Sequence, residues 1–228
     1  MWIKICGITT LEDAETAIAA GADAVGFVFA PSPRRVRADA VRRIVERLPQ
    51  LTEKVGVFVD ATLEEIVRTH AAAGLTGVQL HGAGSVAPGE LEARIGQAVR
   101  VLNVVRFSGD SADFAFQLRR FSGDAANRRH GVLVDTCVAG KQGGTGIVFD
   151  WTAARAGFLR EAPHLRLIAA GGLHPENVRH AIRILEPWGV DVSSGVEASP
   201  GKKDAQRMAA FVRAARQAGA ELEATARV

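Results

Sequence analysis

Cys6 closes the first apolar run of this chain, in Trp2-Ile3-Lys4-Ile5-Cys6-Gly7, and Asp135 closes the sixth, in Gly131-Val132-Leu133-Val134-Asp135. A thiolate can take a proton and a carboxylic acid can give one. If these runs are parallel strands closed into a barrel, both groups project from one rim and form a proton-moving pair. Lys4 lies two residues before Cys6 and shares its face, so its charge is expected to favour the thiolate; a free thiol with a pKa of about 8.5 needs such help near neutrality. An apolar run in front of Asp135 is expected to desolvate its carboxyl partly, which favours the protonated form that an acid needs. A buried cysteine is also a good small core residue, but Cys6 ends its strand and Gly7 leaves room beside it.

Other candidates read differently. Asp60 also ends an apolar run, but Ala61-Thr62-Leu63 looks like a helix start, so capping is its expected role. Asp191 lies within the last run and is expected to point inward and brace the site. Cys137 sits in a loop without a defined role, and a Cys6–Cys137 disulfide is conceivable, although free thiols suit the chain better. The loop Pro31-Ser32-Pro33-Arg34-Arg35 is stiffened by two prolines; an arginine there can grip a carboxylate bidentately, or be part of a solvated basic loop.

Three glycine-bearing clusters follow the last three strand-like runs: Gly143-Gly144-Thr145-Gly146, then Gly171-Gly172, then Ser193-Ser194-Gly195. Glycines let backbone amides approach a phosphate closely, and barrels often seat a phosphate at the loops after strands seven and eight. One Gly-Gly alone suits a tight turn equally well, whereas three clusters on one rim point to a phosphate.

These groups need a scaffold that places them together. Short Val-, Ile- and Phe-rich runs begin near Trp2, Ala24, Val55, Gly77, Val99, Gly131, Leu165 and Val190, mostly without the alternation of half-buried strands, as in parallel sheets. Segments with helical spacing lie between them, for example Val41, Ile44, Val45 and Leu48. Eight such units over residues 1–228 predict a single-domain (β/α)8 TIM barrel; an open doubly wound sheet is the rival. The segment 136–149 reads as an active-site loop.

Composition narrows the classes. Of 228 residues, 47% are hydrophobic and 23% charged, ordinary for a soluble globular chain. A net charge of +3 suits an anionic small molecule and is too weak to argue for nucleic acid. No apolar stretch approaches the ~20 residues of a membrane span, no signal peptide is legible, and the six histidines and two cysteines show no metal-ligand spacing. The expectation is a cytoplasmic protein without a metal site, monomeric or homodimeric.

With these residues in view the chain resembles the phosphoribosylanthranilate isomerases from Lys4 to about Asp204. The matching stretches are Lys4-Ile5-Cys6-Gly7-Ile8-Thr9, the run Gly21 to Phe29, Val78-Gln79-Leu80-His81-Gly82, Asp135-Thr136, Gly143-Gly144-Thr145-Gly146, Gly171 to Val178, and Asp191 to Glu197. The resemblance implies a (β/α)8 barrel without cofactor or metal, Cys6 as general base and Asp135 as general acid. It further implies that Arg35 holds the anthranilate carboxylate, with Arg34 a neighbour easily confused with it, and that Gln79 and His81 line the anthranilate side. The implied reaction is an Amadori rearrangement of a phosphorylated small-molecule substrate in tryptophan biosynthesis. The related histidine-pathway isomerase is an alternative, but it carries aspartate where Cys6 stands and resembles two fused half-barrels. A catalytically silent sugar-phosphate-binding barrel is another, and it would need neither Cys6 nor Asp135.

Overall fold

The computed structural model of the chain describes residues 1–82, 86–122, 130–135 and 150–225. Eight parallel strands close into one barrel in sequence order: β1 (Trp2–Ile5), β2 (Ala24–Val28), β3 (Glu53–Val59), β4 (Gly77–His81), β5 (Arg100–Arg106), β6 (Gly131–Asp135), β7 (Arg166–Ala170) and β8 (Gly189–Val192), with β8 pairing back onto β1. The (β/α)8 barrel is therefore observed, and the closed ring of pairings removes the open sheet. Each strand starts within two residues of its expected apolar run.

Helices follow the strands: α1 (Leu11–Ala19), α2 (Ala38–Val45), α3 (Leu63–Ala73), α4 (Pro88–Ile95), α5 (Ser111–Ser122), α6 (Trp151–Glu161), α7 (Val178–Leu185) and α8 (Ala205–Thr225). Between β8 and α8 lie a short 3₁₀ turn, Ser194–Val196, and a small antiparallel pair, β9 (Glu197–Ser199) with β10 (Lys202–Lys203). Helix α6 has no counterpart in the sequence reading. Its buried face is Ala154, Gly157 and Phe158, so a single large side chain beside two small residues makes no repeating apolar stripe. Asp60 corrects another expectation. Thr62 caps α3, accepting from the Glu65 amide while the Glu65 carboxylate accepts from the Thr62 amide. Asp60 instead stands at φ 48°, its amide donating to the His81 carbonyl.

Two apolar layers hold the barrel. Ile3, Ile5, Val25, Phe27, Val78 and Leu80 face the helices, while Trp2, Ala24, Val55, Leu102, Leu133 and Ile168 pack inside the ring. At the N-terminal end of the strands Trp2 stacks on Trp188 at 5.2 Å, and the Arg166 guanidinium lies 4.3 Å over the Trp188 ring. The floor of the barrel is thus filled by side chains, which leaves the C-terminal mouth as the open end, where barrels of this architecture do chemistry.

Candidate active site

The mouth is a cavity of about 330 Å³, the size of a small-molecule site. Cys6 and Asp135 both line it, from positions at the C-terminal ends of β1 and β6. Cys6 stands one residue beyond β1, and its amide donates to the Val192 carbonyl at 2.8 Å, which fixes the start of its loop against β8. Its side chain is buried, whereas Asp135 is half-exposed. Gln79 and His81 of β4, Gly171 and Gly172 after β7, and Asp191, Ser193 and Ser194 of β8 and its loop line the same cavity.

Lys4 lies beneath the mouth, fully buried, and crosses the barrel interior. Its Nζ donates to Asp191 Oδ1 at 2.9 Å and to Gln79 Oε1 at 2.9 Å. Because the ammonium is donor-only, it fixes the Gln79 amide with the oxygen inward and Nε2 facing His81 Nε2, 3.2 Å away. Burial alone would push Lys4 down, but Asp191 and Cys6 hold it above its ordinary value. Burial pushes the Cys6 thiol up from its ordinary value near 9, and this outweighs the opposing pull of Lys4. Lys4 thus favours the thiolate as expected, without making it the resting form. Burial also lowers His81, which faces the carboxylates of Asp135 and Asp191, so the ring is expected to be neutral near pH 7.

The loops after β7 and β8 approach each other closely. Gly171 and Gly172 have φ of 75° and 62°, the left-handed region that favours glycine. Asn177 braces their turn, donating to the Gly172 carbonyl and accepting from the His174 amide. Gly195 lies behind the wall, packed against the Leu173 carbonyl so tightly that a Cβ there would sit 1.9 Å from it.

The two arginines part company. Arg34 lines the mouth, and its Nε and Nη2 donate to the two oxygens of Glu197, both at 2.7 Å. Arg35 is exposed at the end of the same loop, beside Val28 in the backbone, on the wall of an open groove of about 1330 Å³ that lies between α2 and α3 and reaches the rim at the loops after β2 and β3. Sequence reasoning missed Glu197 and Lys203 as site residues, although Glu197 ends a matching stretch. Gly143, Gly144, Thr145, Gly146 and Cys137 lie outside the described residues. Among the described residues no helix is long and apolar enough to cross a membrane, and no cluster of histidine, cysteine or acidic side chains could hold a metal ion.

Gly26 of β2 faces Cys6 inside the ring. A Cβ there would lie 2.8 Å from Cys6 Sγ, 3.0 Å from Lys4 Cε and 3.1 Å from Cys6 Cα. Gly26→Ala is therefore expected to displace the thiol and to cost about 1–3 kcal/mol of stability through overpacking. Thermal unfolding checks the second effect. The first is checked by turnover, expected to fall about 10–10²-fold because a misplaced reacting group is no longer aligned. An unchanged kcat would mean that the sulfur has slack.

A family model described as N-(5'phosphoribosyl)anthranilate (PRA) isomerase matches residues 3–214. The N-(5'-phosphoribosyl)anthranilate isomerase of Geobacter sp. (strain M21) is 43% identical over 216 residues, 94% of this chain and 98% of that protein. The solved phosphoribosyl anthranilate isomerase of Thermotoga maritima superposes with a TM-score of 0.80 at 40% identity, covering 95% of this chain and 99% of that one. A phosphoribosyl anthranilate isomerase solved in complex with reduced 1-(o-carboxyphenylamino)-1-deoxyribulose 5-phosphate superposes with a TM-score of 0.77 at 39% identity, covering 95% and 99%. A closed barrel with a thiol and a carboxyl in one mouth, matched along nearly its whole length, thus belongs to the N-(5'-phosphoribosyl)anthranilate isomerase family, whose members are isomerases of tryptophan biosynthesis.

Proposed function

We propose that Cys6 is the general base and Asp135 the general acid of the Amadori rearrangement that converts N-(5'-phosphoribosyl)anthranilate to 1-(2-carboxyphenylamino)-1-deoxyribulose 5-phosphate. The observation that carries this reading is the shared cavity: a buried thiol and a half-exposed carboxyl open into one mouth three strands apart around the ring. Asp135 gives its proton to the ribose ring oxygen as the aniline nitrogen's lone pair expels it, leaving an open-chain iminium. The Cys6 thiolate then takes the proton from C2, and the electron pair moves to C1–C2 and neutralises the nitrogen, giving an enolamine. The enol proton leaves and C1 gains one, which yields the aminoketone with the formula unchanged. An ether oxygen needs an acid to depart, while a carbon next to an iminium is acidic enough for a modest base.

The substrate's phosphate is assigned to the backbone of Gly171, Gly172, Ser193, Ser194 and Gly195, where two loops with glycines meet. Gln79 and His81 are assigned to the anthranilate side, where they close the wall between β3 and β5. Arg35 is assigned to the anthranilate carboxylate. What supports this over Arg34 is occupancy: both edges of the Arg34 fork used in its ion pair are committed to Glu197, whereas Arg35 has no ion pair among the described residues. The overall reaction is tested by adding the protein to the anthranilate substrate and following loss of its fluorescence; no loss sinks the reading.

Arg35→Ala is expected to raise KM by about 10–100-fold, the worth of a charge-assisted hydrogen-bonded pair, with kcat nearly unchanged. Steady-state kinetics decides it. A variant with an unaltered KM and a reduced kcat would remove Arg35 from carboxylate binding.

A further inference from the structure

Lys202 and Lys203 look alike in the sequence, but Lys202 is exposed and Lys203 has a fully buried side chain. Lys203 Nζ donates to Glu197 Oε1 at 2.9 Å and to the Ser193 carbonyl at 3.1 Å. Glu197, 5% exposed, binds the Arg34 fork with the same carboxylate, and Arg207 holds its carbonyl at 2.5 Å. Arg34 in turn lies over Gly7, the residue after Cys6: a Cβ on Gly7 would sit 2.6 Å from Arg34 Cδ and 2.9 Å from Ser193 Oγ. The hairpin is also latched to the neighbouring loop after β1, the loop that begins with Cys6, since Thr9 Oγ1 donates to the Gly201 carbonyl at 2.7 Å.

We propose that Lys203, from a strand outside the barrel, is a positioning residue for the reaction: it clasps the loop after β8 through the Ser193 carbonyl and, with Arg34, gives the Arg34–Glu197–Lys203 side-chain cluster beside Cys6 one net positive charge. This deepens the assignment of Cys6 as base and rests on it. The charged groups facing the thiol are then an internally neutral pair, Lys4 with Asp191, on the barrel side, and two cations sharing one carboxylate on the loop side. Asp135 and His81 stand across the mouth. The loop-side excess acts on the sulfur: Lys203 draws the thiol toward ionisation, and an ionised Cys6 steadies the Arg34 guanidinium. Burial pulls Lys203 below its ordinary value, and the Glu197 carboxylate opposes that pull without cancelling both charges. One assembly thereby joins the loop assigned to the substrate phosphate to the residue that takes the proton.

The test uses the full chain in a Cys137→Ala background, so that Cys6 is the one thiol, with thiolate absorbance near 240 nm followed against pH. Lys203→Met leaves Arg34 and Glu197 as a neutral, fully bonded pair. It is expected to move the Cys6 titration up by about one pH unit and to lower kcat/KM about tenfold. Lys203→Arg keeps the charge and is expected to restore the titration. A Lys203→Met protein that titrates with its parent, or a Lys203→Arg protein that titrates with Lys203→Met, overturns the proposal by showing packing instead of charge. Should Lys203→Met fail to fold, Arg34→Met decides in its place, because it leaves the Lys203–Glu197 pair and must shift the thiol upward too. The titration is independent of turnover, so full activity in Cys6→Ser would count against the assignment of the base without touching this result.

Discussion

Replacing Cys6 by serine is expected to lower kcat by about 10²–10⁴-fold, the range of a lost general base, while KM changes little. A serine hydroxyl fills nearly the same space but does not ionise near neutral pH, so the variant keeps the mouth and loses the group that removes the C2 proton. The pH profile gives a second reading of the same assignment. Catalysis needs Cys6 ionised and Asp135 protonated, a state that holds one proton between the two groups. The other arrangement of that one proton, thiol with carboxylate, has the same charge, so kcat/KM is flat wherever the pair holds one proton and falls on both sides. Loss of the last proton is ionisation of the thiol. Burial raises that ionisation above its ordinary value near 9, so the alkaline fall is expected above pH 9. In Cys6→Ser the flat region and its break above pH 9 should be lost along with most of the rate, because the remaining acid no longer trades its proton with a thiol. A variant that turns over at nearly the parental rate, or one that keeps the flat region and that break, would take Cys6 out of the mechanism.

The fold was legible because each strand of the barrel is buried on both faces and therefore reads as a dense Val, Ile and Phe run. Cys6 and Asp135 stood out because a polar group that closes such a run lies at the rim of the barrel, where this architecture does its chemistry. Helix α6 was not legible: Ala154 and Gly157 bury well precisely by being small, and small residues carry little periodic signal. Asp60 looked like a cap because it precedes a helix, yet Thr62 sits nearer the first turn and has Glu65 three residues on to close the box. The split between Arg34 and Arg35 depends on where Glu197 lies, 163 residues away from Arg34. Lys203 was hidden for the same reason. Its burial comes from the β9–β10 hairpin folding back on the loop after β8, and nothing local distinguishes it from exposed Lys202. Local pattern carries information about elements, while the partners of a charged side chain are set by tertiary contacts.

Asp135→Asn is expected to reduce kcat by about 10²–10⁴-fold as well, for a different reason. The amide matches the carboxyl in shape, so the end of β6, held by its pairing with Arg106 and Ala170, should keep its geometry. An amide cannot deliver a proton to the departing ring oxygen, and ring opening would have to wait for a water molecule reaching the mouth. The half-exposure of Asp135 sets the size of the residual rate, because solvent can reach that side of the cavity while it cannot reach Lys4 beneath it. Product-analogue binding measured by calorimetry should stay within a few-fold of the parent, which separates lost acid catalysis from a damaged site. The pH profile separates the two catalytic groups. Without Asp135 the rate must rise as the thiol ionises, about tenfold per pH unit, instead of remaining flat, since the thiolate no longer trades its proton with a neighbouring carboxylate. If Asp135→Asn keeps the flat profile and most of the turnover, the proton for the ring oxygen comes from elsewhere, and the pairing of Cys6 with Asp135 fails as a description of the chemistry.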